Sequence, residues 1–155
     1  LDLYGADIAV DTDLFEGMYP LLEQLEQNNI PWGIVTNKPR GLSESLLEAL
    51  SLTERCAVLV CPEDVSKTKP DPEPMYLAAK QINITPEQCI YVGDHPRDIY
   101  AGRHANMYTI LAAYGYLPLQ HKDDLVAWQA NAIVNNVAEL HQLIETLVDI
   151  PSTTA

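Results

Sequence analysis

Residues 89–112 read CIYVGDHPRDIYAGRHANMYTILA, and they decide the fold class. Cys89 to Val92 is a short apolar, β-rich run. Gly93-Asp94-His95 turns the chain, Pro96 suits the first turn of a helix running to Ala105, and Met107 to Ala112 is apolar again. A strand, a turn, one helix and a second strand in so few residues form a crossover unit, which places the two strands parallel. The same alternation extends toward the N-terminus. Ala57 to Cys61 (AVLVC) is apolar at every position, as for a strand covered on both faces, and Trp32 to Thr36 (WGIVT) is another short strand. Helical stripes separate them: Met18, Leu21, Leu22 and Leu25; then Leu42, Leu46 and Leu50; then Met75, Ala78, Ala79 and Ile82. Toward the C-terminus, Ala132 to Val134 is a short strand, and Val137, Leu140, Ile144 and Val148 mark a closing helix. The expected fold is α/β, a Rossmann-like three-layer core around a mostly parallel sheet.

The composition agrees with that class and narrows the partners. The chain has 155 residues, 47% hydrophobic and 20% charged, the profile of a globular domain. Nine Lys and Arg against 22 Asp and Glu give a net charge of −13. That field disfavours nucleic acid and anionic membrane surfaces as partners. No apolar run approaches a membrane span, and the first residues, LDLYGADIAVDTD, lack a basic leader, so the expected location is the cytoplasm. Cys56, Cys61 and Cys89 lack CxxC spacing and lie in or beside apolar stretches, as reduced core residues do.

In a parallel α/β sheet, ligands gather beyond the carboxyl ends of the strands, where loops converge on helix N-termini. After WGIV come Thr36, Asn37, Lys38, Pro39 and Arg40, a hydroxyl, an amide and two cations at a helix start. After AVLVC the chain reaches Lys67, Thr68, Lys69 and the rigid Pro70-Asp71-Pro72. After CIYV, Asp94 and Asp98 stand four residues apart. Each has a plainer reading: Thr36, Asn37 and Asp94 as helix caps, Lys67 and Lys69 as solvated charges, Asp98 as a surface carboxylate, His95 and His104 as flanking polar residues. Their arrival in order, each after its own strand, favours a phosphate held by Thr and Lys beside a hard divalent cation on the aspartates.

The ordered set VTNKP, KPDPEPMYLAAK and YVGDHPRDIYAGRHANM resembles the haloacid dehalogenase-like phosphatase superfamily, in its phosphoglycolate phosphatase-like branch. The phrasing is most similar to sugar-phosphate phosphatases of the N-acetylmuramic acid 6-phosphate type. The likeness runs from about Leu14 to Leu147, and GDxxxD with a KPxP whose Lys69 precedes Asp94 by 25 residues is its most specific part. The resemblance implies a phosphoric monoester hydrolase that uses Mg2+ and an aspartyl-phosphate intermediate on a small phosphorylated metabolite. It implies that Thr36, Lys69 and Asp94 are catalytic, that Thr36, Asn37 and Lys69 bind phosphate, and that Asp94 and Asp98 serve the metal, Asp98 directly or from behind. It also implies a departure. The family opens on a strand ending in DxD, and no such apolar strand precedes Leu14; Asp11-Thr12-Asp13 follows only the short IAV, without a glycine-threonine turn. The expectation is therefore that residues 1–13 are a remnant of a helical cap or linker, 14–150 the C-terminal part of the core, and 151–155 a frayed tail. On that reading the central strand and most of the cap are missing. The slot they leave would be filled by an N-terminal segment of the same protein, and this chain alone would be inactive. The competing readings are a non-catalytic protein that keeps the phosphate and metal cradle, and a relative of the fold with another reaction, such as a phosphomutase.

Overall fold

The computed structural model describes residues 2–5, 18–114 and 128–148. In chain order its elements are β1 (Asp2–Gly5), α1 (Tyr19–Gln27), β2 (Trp32–Val35), α2 (Arg40–Ala49), β3 (Val58–Val60), α3 (Glu73–Gln81), β4 (Ile90–Gly93), α4 (Pro96–His104), β5 (Tyr108–Ala112), β6 (Ala132–Val134) and α5 (Val137–Leu147). The strands form one sheet in the order β3-β2-β1-β4-β5-β6, and every neighbouring pair is parallel. This is the expected α/β class.

Alternation along the strands builds the layers. Trp32 and Ile34 of β2 with Ile90 and Val92 of β4 face a core completed by Leu21 and Leu25 of α1, Leu47 of α2, and Leu140 and Ile144 of α5. Val35 and Tyr91 face the other way, with Val58 and Val60 of β3, onto Met75 and Ala78 of α3 and Ala101 of α4. The helix α2 differs from its predicted stripe. Leu42 is 56% exposed, Leu46 and Leu50 are only partly covered, and Ser43 and Leu47 are the buried positions. The stripe is rotated by one residue, and the Ser43 Oγ this buries is satisfied by donating to the Pro39 carbonyl at 3.1 Å. A partly buried polar contact also joins α1 to α5. Gln24 Nε2 donates to Glu145 Oε2 at 2.9 Å, and Gln24 Oε1 lies 2.6 Å from His141 Nε2, which assigns the proton to that ring nitrogen because the amide oxygen can only accept.

Between β2 and β4, where an empty slot is expected, the structure places a strand of this chain. Residues 2–5 lie between β2 and β4, Gly5 level with Val35 and Tyr4 level with Val92. Its sequence carries little strand signal: a strand in mid-sheet is expected to be continuously apolar, and Asp2 and Gly5 interrupt this one at both ends. Four residues are nonetheless enough to pair the facing edges of β2 and β4, so the slot expected between them is occupied by the chain itself. Of the stretch assigned to a cap remnant, residues 2–5 belong to the sheet. Residues 6–13, and the tail 151–155, lie outside the described residues.

All three cysteines are free thiols, with Cys61 and Cys89 buried and Cys56 half-buried. Burial pushes the Cys56 thiol up to about 11. Its reaction with a thiol reagent at pH 8 should therefore be slower in the native chain than in urea by about a hundredfold or more, a ratio that timed alkylation measures. The folded thiol keeps its proton longer than the unfolded one, so the contribution is intact below about pH 8.5 and is lost as the pH rises toward about 11.

Candidate functional site

The carboxyl ends of β2 and β4 and the loop after β3 bring the predicted residues to one sheet edge. Thr36 follows β2 directly and is buried. Its N–H donates to the Val60 carbonyl at 3.0 Å, and its Oγ1 accepts from the Lys38 N–H at 3.0 Å. That second bond uses a lone pair, so the hydroxyl keeps its proton for donation, the chemistry a phosphoryl oxygen calls for. Asn37 Nδ2 donates to the Lys69 carbonyl at 3.2 Å, tying this loop to the next.

Lys69 precedes a cis peptide bond to Pro70. Glu73 secures its loop by accepting from the Ser66 N–H at 2.8 Å and the Lys67 N–H at 3.2 Å. The Lys69 side chain is fully buried and forms an ion pair with Asp98, Nζ to Oδ1 at 2.6 Å. Nζ also donates to Tyr91 Oη at 2.9 Å and to the Val35 carbonyl at 3.2 Å. A cation in this environment needs such partners, since an unpaired ammonium at that depth would be costly.

Asp98 sits in the first turn of α4, where a carboxylate is favoured by the helix dipole. Its Oδ2 accepts from the N–H groups of Asp94 and His95, both at 3.2 Å. His95 caps the same helix, Nδ1 accepting from the Arg97 N–H at 3.3 Å, so the proton of a neutral ring is assigned to Nε2. Asp94, at the end of β4, is buried beside this turn.

Thr36, Asn37, Lys69 and Asp98 are thus joined by hydrogen bonds, directly or through shared backbone, and Asp94 joins them through its own N–H. The second cation of the expected anion cradle is placed elsewhere. Arg40 donates to the Leu59 carbonyl at 3.1 Å and pairs with Asp64, and with Glu44 at 3.2 Å. The bond to Asp64 holds the guanidinium above its ordinary value. Arg40 therefore braces α2 against the turn after β3. Lys67 is exposed, and His104 lies at the far end of α4, where its carbonyl accepts from Tyr76 at 3.2 Å. Tyr91 was missed in the sequence. The available signal was a hydroxyl on an otherwise apolar strand, which needs a partner once buried.

Among the described residues, no three or more His, Cys, Asp or Glu converge as a metal cluster. Magnesium is usually held by one or two carboxylates with waters and substrate oxygens, so a complete protein cage is not required. Asp94 fits such a site as one hard anionic ligand. Both oxygens of Asp98 have protein partners, Lys69 Nζ at Oδ1 and the Asp94 and His95 N–H groups at Oδ2. In β1, Asp2 is level with Trp32, four residues before Thr36 and hence about 13 Å down the strand. The register leaves no β1 carboxylate at the level of the site, and Asp11 and Asp13 lie outside the described residues.

The family model for haloacid dehalogenase-like hydrolases matches residues 4–112. The chain belongs to this family. Within it, the chain is 42% identical over 146 residues to an N-acetylmuramic acid 6-phosphate phosphatase of Pseudomonas putida, covering 94% of this chain and 65% of that protein. It is 40% identical over 140 residues to a phosphoglycolate phosphatase of Xanthomonas campestris pv. campestris, covering 90% of this chain and 62% of that protein. The chain therefore spans a little under two thirds of the length of these relatives. A solved haloacid dehalogenase-superfamily hydrolase from Ehrlichia chaffeensis superposes with a TM-score of 0.70 at 26% identity, over 86% of this chain and 58% of that one. A hydrolase from Pseudomonas syringae superposes with a TM-score of 0.74 at 26% identity, over 84% and 59%.

Proposed function

We propose that the protein is a magnesium-dependent phosphomonoesterase that acts on a small sugar or organic phosphate, of the N-acetylmuramic acid 6-phosphate or phosphoglycolate class. The observation that carries this reading is the fully buried Lys69 ammonium, paired with Asp98 at the same sheet edge as Thr36 and Asp94. The names of the relatives supply the substrate class. In this role the Thr36 hydroxyl donates a hydrogen bond to a phosphoryl oxygen, and Lys69 offsets negative charge as it builds up at phosphorus. Asp98 orients Lys69 and fixes the backbone that carries Asp94. Magnesium, held in part by Asp94, would polarise the phosphoryl oxygens. A carboxylate from the N-terminal segment expected to precede these residues attacks phosphorus as the bond to the alcohol oxygen breaks, and water then hydrolyses the acyl phosphate. Among the described residues no helix is long and apolar enough to cross a membrane, and a small phosphorylated metabolite suits the cytoplasm as its site of action.

The full-length protein, assayed with both phosphates and magnesium, should turn over at least one at an ordinary rate, on the order of 1 to 10³ s⁻¹. The 155-residue chain alone should bind inorganic phosphate without turnover. Ordinary turnover by this chain would return Asp11 or Asp13 to consideration as nucleophile, and inactivity of the full-length protein on every phosphate monoester would leave the non-catalytic reading. In the active protein, Asp94→Asn should raise the magnesium needed for half-maximal rate about tenfold or more, with recovery at excess metal, because it removes a hard anionic ligand. Excess magnesium that restored Lys69→Ala but not Asp94→Asn would reverse the two assignments.

A further inference from the structure

Tyr91 is fully buried on β4, on the face that packs against α3 and α4. Phenylalanine would fill the same space, so it is the hydroxyl that requires a reason: a phenolic O–H is costly to bury without partners. Tyr91 Oη donates to the Val35 carbonyl at 3.1 Å and accepts from Lys69 Nζ at 2.9 Å, and the ring centroid lies 5.6 Å from Nζ. Lys69 also donates to that same Val35 carbonyl, at 3.2 Å. Tyrosine, lysine and carbonyl close a triangle one residue before Thr36. Among the described residues, Asp98 Oδ1 is a third acceptor, at 2.6 Å.

This arrangement bears on how Lys69 can reach a phosphate at all. To donate to a phosphoryl oxygen, the ammonium must release one of its acceptors, and the Val35 carbonyl is the longest of the three contacts. Tyr91 keeps its own hydrogen bond to that carbonyl, so its hydroxyl stays fixed beside the ammonium when Lys69 turns. We propose that Tyr91 is a positioning residue: anchored on the Val35 carbonyl, its hydroxyl aims the Lys69 ammonium at the carboxyl edge of β2, where a phosphate would be met. The inference rests on the phosphatase reading for its kinetic consequence, and on the triangle alone for its structural one.

The test joins both levels. In the 155-residue chain labelled with ¹⁵N-lysine, the Lys69 ammonium should give a slowly exchanging NMR signal with a nuclear Overhauser contact to the Tyr91 ring, and added inorganic phosphate should shift it. Tyr91→Phe should abolish slow exchange while the backbone amide spectrum stays otherwise unchanged. In the full-length protein, Tyr91→Phe should lower kcat with p-nitrophenyl phosphate about tenfold while KM changes less than about twofold, since the loss falls on charge formed in the transition state. A slowly exchanging ammonium in Tyr91→Phe, or a wild-type ammonium with no contact to the Tyr91 ring, overturns the proposal. If the full-length wild type has no phosphatase activity, the phosphatase reading falls and the NMR result alone decides the role of Tyr91. If Tyr91→Phe does not fold, the wild-type contact and its response to phosphate decide it.

Discussion

Replacing Lys69 with methionine should remove about 3–5 kcal/mol of stability from this chain, a large share of what a domain of this size has to lose. The reason is Asp98. Its carboxylate is fully buried, and the Lys69 ammonium at 2.6 Å is the cation that compensates it. Methionine fills much of the same volume but leaves Asp98 Oδ1 facing a hydroxyl and a carbonyl that were arranged around a positive charge. Removing one partner of a buried pair costs more than the pair contributes, because the stranded charge remains. The double replacement Lys69→Met with Asp98→Leu should therefore cost less than the two singles together, by a coupling of about 1–3 kcal/mol. It should not return to wild type, since leucine cannot accept from the Asp94 and His95 N–H groups that Asp98 Oδ2 now holds. Urea denaturation of the four proteins measures this, and additive single effects would show that the pair is not an energetic unit.

That pair also shows how far the sequence could be read. The residues of the site were legible because each follows an apolar run that is recognisable as a strand by itself, and a parallel sheet brings such strand ends together whatever the details of packing. Their partners were not. Nothing in GDHPRD says that Asp98 turns inward to bind Lys69 across the loops instead of facing solvent, and nothing in TNKPR distinguishes Arg40, which braces Asp64, from a cation left for an anion. Those outcomes depend on contacts between segments 24 to 29 residues apart, which local spacing does not encode. The strand β1 was lost for a different reason. Its four residues carry too little apolar signal, and what makes them a strand is the pairing offered by β2 and β4 on either side. Tertiary context overrides local preference in this way most readily in the shortest elements. The helix α2 is intermediate: its existence followed from Pro39 and the leucine spacing, but which of its leucines turns inward was set by how it docks.

Gly93→Ala should be nearly as damaging as the loss of Lys69, although it adds only a methyl group. A Cβ at Gly93 would stand 2.3 Å from Asp98 Cβ and 2.8 Å from both Asp98 Cγ and Oδ2. The glycine has no positive φ, so its role is space and not backbone freedom. Gly93 ends β4 and is level with Leu111 of β5, which leaves the strand little room to move aside. Asp98 would have to retreat, and it cannot do so without loosening its bonds to the Asp94 and His95 N–H groups and its pair with Lys69. Overpacking of this kind ordinarily costs about 1–3 kcal/mol, and a strained or broken buried ion pair adds to it, so a total of about 3 kcal/mol or more is expected. Phosphate binding should be lost in the molecules that remain folded, because the Asp94 turn and Lys69 are displaced together. Gly41→Ala is the matched control. Gly41 is exposed in the first turn of α2, with nothing within 4 Å of its would-be Cβ, and there the same methyl should stabilise the helix by up to about 1 kcal/mol. Thermal and urea unfolding of the two variants, with phosphate binding followed by calorimetry, measures the contrast. If Gly93→Ala unfolded and bound phosphate like the wild type, Asp98 could not be packed against Gly93 as described, and the anchoring of Lys69 and Asp94 through it would fail with that contact.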